Sequence, residues 1–333
     1  MNVLIVKLSS LGDVVHALPV AATLRARLPG ARITWAVERR EAVVLDGHPA
    51  VERVLVVDTR GWRAAGGLRS HAAAGAGIAA ALRRVRGGRF DVALDLQGLL
   101  KSGMLAGLSR APLRIGFARG LCREPVSAVF TNRRVTPPPG ARHIVDQCLA
   151  LLAPLGIAEP VREFRLPADA GAEAAVDEAF AAAGLKPHDR LVVLNPGAGR
   201  ADKRWPVERF RSLAARLATE AGAHVLVVWG PGEESAARAI AGPAGGRVVL
   251  APPTDVHRLI AVLRRASVVV AADTGPLHLA AALGTPCVGL YGPTRAERNG
   301  PYGAGHRALE GRDGQVGAIG VEDALRAVAE SLG

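Results

Sequence analysis

Short apolar runs alternate with amphipathic stretches along the chain, in a rhythm typical of strands followed by helices. In the first half, strand-like runs lie near residues 2–7, 32–37, 53–57, 91–95 and 113–116. Helix-like stretches lie near residues 13–28, 68–85, 98–109 and 142–155. The strand-like runs are apolar on both faces, which is typical of a parallel sheet covered by helices.

A stretch with three prolines and little periodicity, residues 154–168, interrupts this rhythm, which then restarts. Strands are predicted near 190–195, 224–229, 248–250, 267–271 and 286–290, and helices near 169–183, 206–220, 233–241, 255–264, 276–283 and 321–332. We therefore predict an α/β protein with Rossmann-like domains at residues 1–160 and 161–315, and a ligand cleft at the carboxyl ends of their strands. The last segment, 316–333, has no obvious strand partner. One interpretation is that its helix packs back on the N-terminal domain.

Basic residues are concentrated in the N-terminal half of the chain. Residues 1–160 hold 22 Lys and Arg against 11 Asp and Glu, whereas residues 161–333 hold 20 against 19. This excess predicts an anionic partner for the first domain: a phosphorylated substrate, an anionic membrane surface or nucleic acid. Aromatic residues are only 4% of the chain, and no helix-turn-helix or RNP-like motif occurs, so we expect no nucleic-acid partner.

The expected localisation is cytoplasmic. No apolar run approaches the roughly 18 residues that a membrane-spanning helix needs, and the first residues do not follow the signal-peptide pattern. The three cysteines are odd in number and far apart, which predicts neither a disulfide framework nor a zinc site.

Two loops of the second domain carry groups that suit a nucleotide. In LNPGAGRADKRWP, residues 194–206, Gly197 lets backbone N–H groups approach an anion and Lys203 adds a positive charge. In WGPGEES, residues 229–235, Glu233 or Glu234 is placed to accept hydrogen bonds from ribose hydroxyls, although both also suit the start of a helix.

A third loop, in DTGPLHLAAALGTP at residues 273–286, follows a predicted strand and opens a helix. The N–H groups of Thr274 and Gly275 would point from that helix start toward an anion. Asp273 is a candidate for sugar hydroxyls, and His278 in the first helical turn is a candidate ligand contact or a packed side chain. Together the three loops predict a site for a nucleotide diphosphate that carries a transferable group.

The first predicted strand ends in VKLSSLGDVVHALP, residues 6–19, where Asp13 is the candidate catalytic residue. Asp13 is placed either to cap the helix or to act as a general base. Ser9, Ser10 and Gly12 in the same loop are candidate substrate contacts, with Ser9 on the acceptor side and the other two on the donor side. For a bulky anionic acceptor, the remaining candidates are Arg60, Arg63, Gln97, Lys101, Arg123, Arg133 and Arg134.

These motifs, in this order, resemble a known family. VKLSSLGDVVHALP, DLQGLLKSG, REP with NRR, DKRWP and DTGPLHLAAALGTP are similar to the ADP-heptose:lipopolysaccharide heptosyltransferases of glycosyltransferase family 9, over nearly the whole chain. The DLQGL and NRR segments favour the type I branch. The resemblance implies the GT-B fold, in which two Rossmann-like domains with parallel sheets face a central cleft, the acceptor lies on the N-terminal domain and the nucleotide sugar on the C-terminal one.

The resemblance also implies an activity. Heptose would pass from ADP-heptose to the first Kdo of Kdo2-lipid A, with inversion, at the cytoplasmic face of the inner membrane and without a metal cofactor. Asp13 would be the base, Lys203 would contact the donor phosphate, and Asp273 would contact the heptose. Glu233 would bind ribose, with Glu234 left open.

One departure from the family concerns Ala198 and Gly199, which stand where some type I members have hydroxyl residues. Two rival interpretations remain at this point. One is heptosyltransferase II or another GT-B transferase with the same donor and a different acceptor. The other is a nucleotide-regulated basic binding protein.

Overall fold

The structure is a computed structural model that describes residues 1–59, 68–186, 188–242 and 246–333, without the side chains of residues 68–76 and 78. The chain divides into two compact units, Met1–Pro167 and Ala168–Gly333. The division falls inside the proline-containing stretch and lies seven residues beyond the expected boundary at 160.

The first unit is built on a six-stranded parallel sheet in the order β3-β2-β1-β4-β5-β6. Its strands are β1 Asn2–Val6, β2 Arg32–Glu38, β3 Arg53–Val57, β4 Val92–Asp95, β5 Leu113–Phe117 and β6 Arg133–Val135. Its helices are α1 Leu11–Arg27, α2 Leu68–Gly87, α3 Leu100–Leu108 and α4 Ile144–Ala150. Strand β1 is fully buried from Val3 to Val6 because it lies at the centre of the sheet with neighbours on both sides.

The second unit repeats this topology with the order β12-β11-β10-β7-β8-β9. Its strands are β7 Leu191–Asn195, β8 His224–Val227, β9 Val248–Leu250, β10 Val268–Ala272, β11 Cys287–Tyr291 and β12 Arg307–Glu310. Its helices are α5 Ala170–Ala182, α6 Val207–Glu220, α7 Glu234–Ala241, α8 Val256–Arg265, α9 Gly275–Ala282, α10 Ala296–Asn299 and α11 Val321–Leu332.

Both sheets therefore reverse their strand order at one place, between β1 and β4 in the first unit and between β7 and β10 in the second. In open parallel sheets a ligand crevice forms at this switch point, beyond the carboxyl ends of the strands. The loops after β4, β7 and β10 carry Gln97, Gly197 and Asp273, and Asp13 lies in the first turn of the helix that follows β1.

The C-terminal helix, α11, packs against α6 and strands β10 to β12 of its own unit. Its expected packing on the N-terminal domain stays a prediction. Its buried residues Ala324, Ala327 and Val328 join the same core cluster as Trp205 and Phe210.

Two strands of the structure, β6 and β12, have no counterpart in the sequence prediction. Both are short, lie at a sheet edge and are largely exposed, so neither produces an apolar run. Helix α1 also begins at Leu11, two residues before its predicted start, so Asp13 lies in the first helical turn.

Candidate active site

Asp13 both closes the first turn of α1 and remains open to solvent. The backbone N–H and the hydroxyl of Ser10 donate to Asp13 Oδ2 at 3.0 and 2.8 Å. The Asp13 side chain is still 40% exposed. Helix capping and proton transfer are therefore compatible at this residue, because the capping contacts leave the carboxylate within reach of a substrate.

A buried ammonium group lies beneath this carboxylate. Lys7 Nζ is 3.6 Å from Asp13 Oδ1, and the Lys7 side chain is only 4% exposed. The same Nζ donates to the carbonyl of Leu96 at 2.9 Å, which ties the end of β1 to the loop after β4. The sequence offered one signal for this contact, since Lys7 is one of only four lysines among 42 basic residues.

Gln97 holds the loop that precedes Asp13. Its side-chain Oε1 accepts from the N–H of Leu8 at 2.6 Å, and its Nε2 donates to the carbonyl of Ser9 at 3.0 Å. Asp95 in turn accepts from the N–H groups of Gln97 and Gly98. The structure thus gives Gln97 a positioning role, while its predicted contact with the acceptor remains a prediction. Burial raises the pKa of the Asp95 carboxyl, although the hydrogen bonds from the N–H groups of Gly98 and Gln97 act to lower it.

Lys101 is held by an ion pair inside the first unit. Its Nζ lies 3.0 Å from Oε1 of Glu38, which is 1% exposed, and 3.2 Å from the hydroxyl of Thr59. The N–H and hydroxyl of Thr59 also donate to Glu38. Lys101 is therefore the ion-pair partner of a buried carboxylate. Its predicted contact with the acceptor stays a prediction, and the side chain would have to make that contact while it remains beside Glu38.

The arginine candidates fall into three groups. Arg123 and Arg133 are exposed, the latter in the edge strand β6. Arg134 is exposed and donates through Nε to the carbonyl of Ala128 at 3.1 Å. Arg60 and Arg63 lie outside the described residues.

In the second unit, Lys203, Asp273 and His278 form one connected group. Lys203 Nζ lies 2.6 Å from Asp273 Oδ2, and His278 Nε2 lies 2.9 Å from Asp273 Oδ1. Burial alone would raise the pKa of Asp273, but the hydrogen bonds and charges of His278 and Lys203 hold it well below its ordinary value. Asp273 is thus a carboxylate that uses both oxygens on these neighbours, and His278 is 4% exposed.

The start of α9 lies directly beside this group. Thr274 is the N-cap residue, and its hydroxyl donates to the carbonyl of Ala272 at 3.1 Å. Asn195, at the end of β7, donates through Nδ2 to the Gly197 carbonyl at 3.2 Å and to the Thr274 hydroxyl at 3.4 Å. Sequence reasoning missed Asn195, whose only signal was a polar residue ending an otherwise apolar strand.

Glu233, rather than Glu234, points into the loop cluster. Its Oε2 accepts from the Gly230 N–H at 2.9 Å. Its carboxylate occupies the space where a side chain at residue 197 would lie, since an added Cβ would be 1.9 Å from that same oxygen. Glu234 instead pairs with Arg238 at 2.6 Å on the exposed face of α7. The residue 197 loop therefore requires glycine as long as Glu233 keeps this position.

The loop after β7, in which Ala198 and Gly199 replace hydroxyl residues, is partly exposed to solvent. Ala198 is buried and its carbonyl accepts from Arg204 Nε at 3.0 Å. Gly199 is exposed, and nothing lies within 4 Å of a Cβ added there. Backbone N–H groups, not side-chain hydroxyls, are what this part of the loop offers an anion.

The two Rossmann-like units and these strand-end loops define a nucleotide-sugar transferase of the GT-B type. A family model described as glycosyltransferase family 9 (heptosyltransferase) matches residues 78–316, and the chain belongs to that family. It is 33% identical to lipopolysaccharide heptosyltransferase 1 of Salmonella typhimurium, over 92% of this chain and 93% of that one.

Solved structures agree with this assignment. The E. coli heptosyltransferase WaaC with ADP superposes with a TM-score of 0.81 at 30% identity, covering 99% of this chain and all of that one. WaaC with ADP-2-deoxy-2-fluoro heptose gives 0.80 at 30% identity, covering 99% of each chain. The protein is thus a glycosyltransferase, and the interpretation as a nucleotide-regulated binding protein without catalysis is excluded.

Proposed function

We propose that the protein transfers L-glycero-D-manno-heptose from ADP-heptose to a Kdo hydroxyl of Kdo2-lipid A, with inversion at the anomeric carbon. The observation that carries the proposal is the set of groups that each unit holds at its switch point. The first unit holds an accessible carboxylate, Asp13, and the second holds a cation and a helix start, Lys203 and Thr274. Relatives named for heptose transfer and for binding ADP and an ADP-heptose analogue support the choice of donor.

In the proposed reaction Asp13 is the general base. Its carboxylate takes the proton of the attacking Kdo hydroxyl as the new bond between that oxygen and the anomeric carbon forms. The bond from the anomeric carbon to the β-phosphate oxygen breaks, and ADP leaves with the electron pair. Ser10 and Lys7 hold the Asp13 carboxylate in place, through the contacts at 2.8–3.0 Å and at 3.6 Å.

The second unit would stabilise the departing ADP. Negative charge that grows on the diphosphate would be met by the Lys203 ammonium and by the N–H groups at Thr274 and Gly275, so the proposal requires no metal ion. Asp273 would hold Lys203 until the phosphate arrives and would contact the heptose hydroxyls. Glu233 would accept hydrogen bonds from the ribose.

The acceptor would bind to the first unit, which carries most of the positive charge. Candidate contacts are Ser9 and the basic residues already described, and the partner membrane would be the cytoplasmic face of the inner membrane. The proposal places the protein at the membrane surface as a peripheral enzyme, because its acceptor is a membrane lipid. Among the described residues, no helix is long and apolar enough to cross a bilayer.

The test is a transfer assay with ADP-heptose and two acceptors, Kdo2-lipid A and its heptosylated form, with products read by mass spectrometry. The proposal predicts one heptosyl addition to Kdo2-lipid A and none to the heptosylated form. Addition only to the heptosylated form would assign the type II reaction instead. No addition to either acceptor, with ADP-heptose still bound, would refute the proposed acceptor class.

A further inference from the structure

Large apolar side chains are exposed mainly in one part of the first unit. Of the six that are exposed among the described residues, five lie between residues 100 and 129. Their exposed fractions are 41% for Leu100, 44% for Met104, 54% for Leu121, 50% for Val126 and 64% for Val129. Exposed apolar side chains that gather into one large patch, especially one with a polar rim, mark sites of interaction with proteins or membranes.

Close packing of two elements brings these side chains onto one surface. Helix α3 lies against the 3-10 segment Pro125–Phe130, and an added Cβ at Gly103 would lie 2.8 Å from the Ser127 carbonyl. Leu100 and Met104 are four residues apart on α3, while Val126 and Val129 are three apart in the 3-10 segment, so each pair shares a face. We call these four residues and Leu121 the apolar surface.

A groove of about 560 Å³ adjoins the apolar surface. Its wall is apolar at Met104, Leu108, Val129 and Phe130, and cationic at Arg110 and Arg114. The Arg114 guanidinium is fixed by the carbonyls of Phe130 and Ala111, at 2.9 and 2.8 Å. Apolar and cationic groups therefore line the same depression.

The surrounding charge is strongly positive. Residues 100–134 contain seven basic residues and one acidic residue, Glu124. The Glu124 carboxylate already accepts the Leu100 N–H at 2.6 Å. Lys101 is paired with Glu38, but Arg110, Arg119, Arg123 and Arg133 are exposed. The apolar surface thus has a cationic rim.

We propose that the apolar surface docks on an anionic phospholipid bilayer, with the rim arginines on headgroup phosphates and the apolar side chains in the headgroup–acyl boundary. This inference rests on the proposed function, whose acceptor is a lipid, and adds partial insertion of apolar side chains to the attraction between opposite charges. A second copy of the chain fits less well, since a symmetric contact would place the cationic rims together. A nucleic acid would call for aromatic rather than aliphatic side chains.

The first experiment separates insertion from charge attraction. The full chain is sedimented with vesicles of phosphatidylcholine, alone or mixed with phosphatidylglycerol, at low salt and at about 1 M salt, where the Debye length is roughly 3 Å. The triple variant Leu121→Ser, Val126→Ser, Val129→Ser should keep the wild-type melting temperature. We expect the wild type to retain measurable binding to mixed vesicles at high salt and the triple variant to lose it.

The second experiment tests the rim with a matched control. Arg110→Ser with Arg119→Ser should lower the partition coefficient at low salt about 30-fold, from about 1 kcal/mol per arginine near an anionic surface. The control pair, Arg295→Ser with Arg312→Ser, removes the same charge from exposed positions of the second unit and should change it far less.

Three results would overturn the docking proposal. In the first, the triple variant binds vesicles as tightly as the wild type. In the second, the two pairs of arginine substitutions lower vesicle binding equally. In the third, the wild type binds no vesicles but forms a dimer, and the triple variant abolishes that dimer. Transfer of heptose to a deacylated, water-soluble Kdo2 acceptor should be unchanged in the triple variant. If the wild type fails to transfer heptose to that acceptor, the proposed function is refuted. The docking proposal is judged separately, from vesicle binding alone.

Discussion

The ion pair between Lys203 and Asp273 stabilises the second unit, and in the proposed function the same lysine contacts the donor phosphate. The two side chains are 17% and 8% exposed, and their charged atoms are 2.6 Å apart. Removing one partner of a buried pair costs about 3–5 kcal/mol, because the remaining charge stays buried. His278 still contacts Asp273, so we expect Lys203→Met to cost about 3 kcal/mol. For a unit of this size that lowers the melting temperature by about 6–12 °C.

The double variant Lys203→Met, Asp273→Asn separates the two roles. It removes both charges, so most of the lost stability should return, since an amide can still hydrogen-bond to His278. ADP affinity should not return, because the phosphate still lacks its ammonium partner. A charge-assisted hydrogen bond is worth about 1.5–3 kcal/mol, so the affinity should fall about 10-fold to 150-fold in both variants.

Calorimetric unfolding and titration with ADP provide both measurements. A wild-type melting temperature for Lys203→Met would refute the energetic argument, and recovery of ADP affinity in the double variant would refute the phosphate contact. The pH dependence gives a further check. Because the pKa of Asp273 is held below its ordinary value, the stability from this contact is present above about pH 4 and is lost as the pH falls below it.

Three other changes have definite expected outcomes. Gly197→Ala should lower ADP affinity about tenfold, because the added methyl group displaces the Glu233 carboxylate. Stability should change little, since only the end of a flexible side chain must move. Unchanged ADP affinity would contradict the described loop geometry. Gln97→Met should lower kcat by loosening the loop before Asp13 while ADP affinity stays constant, whereas a purely acceptor-binding role would raise KM alone. His48 of the first unit is buried, and its Nε2 donates to the carbonyl of Phe164 at 3.0 Å. Burial lowers its pKa, so stability should fall as the pH drops below about 6.5, and His48→Gln should show a shallower fall in calorimetry.

The order of elements was predictable because the central strands are buried on both faces. Their apolar runs stand out in the sequence, and the loops after them were recognisable by their glycines and charged residues. The edge strands β6 and β12 were missed because exposed residues of an edge strand carry no apolar pattern. Their existence depends on a neighbouring strand that offers free backbone groups.

The internal partners of the site residues could not be predicted in the same way. Lys203 and Asp273 are 70 residues apart, and Lys101 and Glu38 are 63 apart. Each side chain was recognised as charged and near a strand end, but only the fold shows which charge meets which. Glu233 and Glu234 illustrate the same limit, since adjacent residues at a helix start point in different directions.

The role of Asp13 as the base is the central claim, and Asp13→Asn tests it most directly. Asparagine can still accept the Ser10 hydrogen bonds that close the first turn of α1, so a purely structural residue would be replaced almost without loss. The measurement is the rate of heptosyl transfer to Kdo2-lipid A by the variant, alongside its melting temperature and ADP affinity. The account predicts a rate about 100-fold to 10,000-fold below wild type, with ADP affinity unchanged and a melting temperature lowered only by the loss of the ion pair with Lys7. Transfer at a rate close to that of the wild type would contradict it.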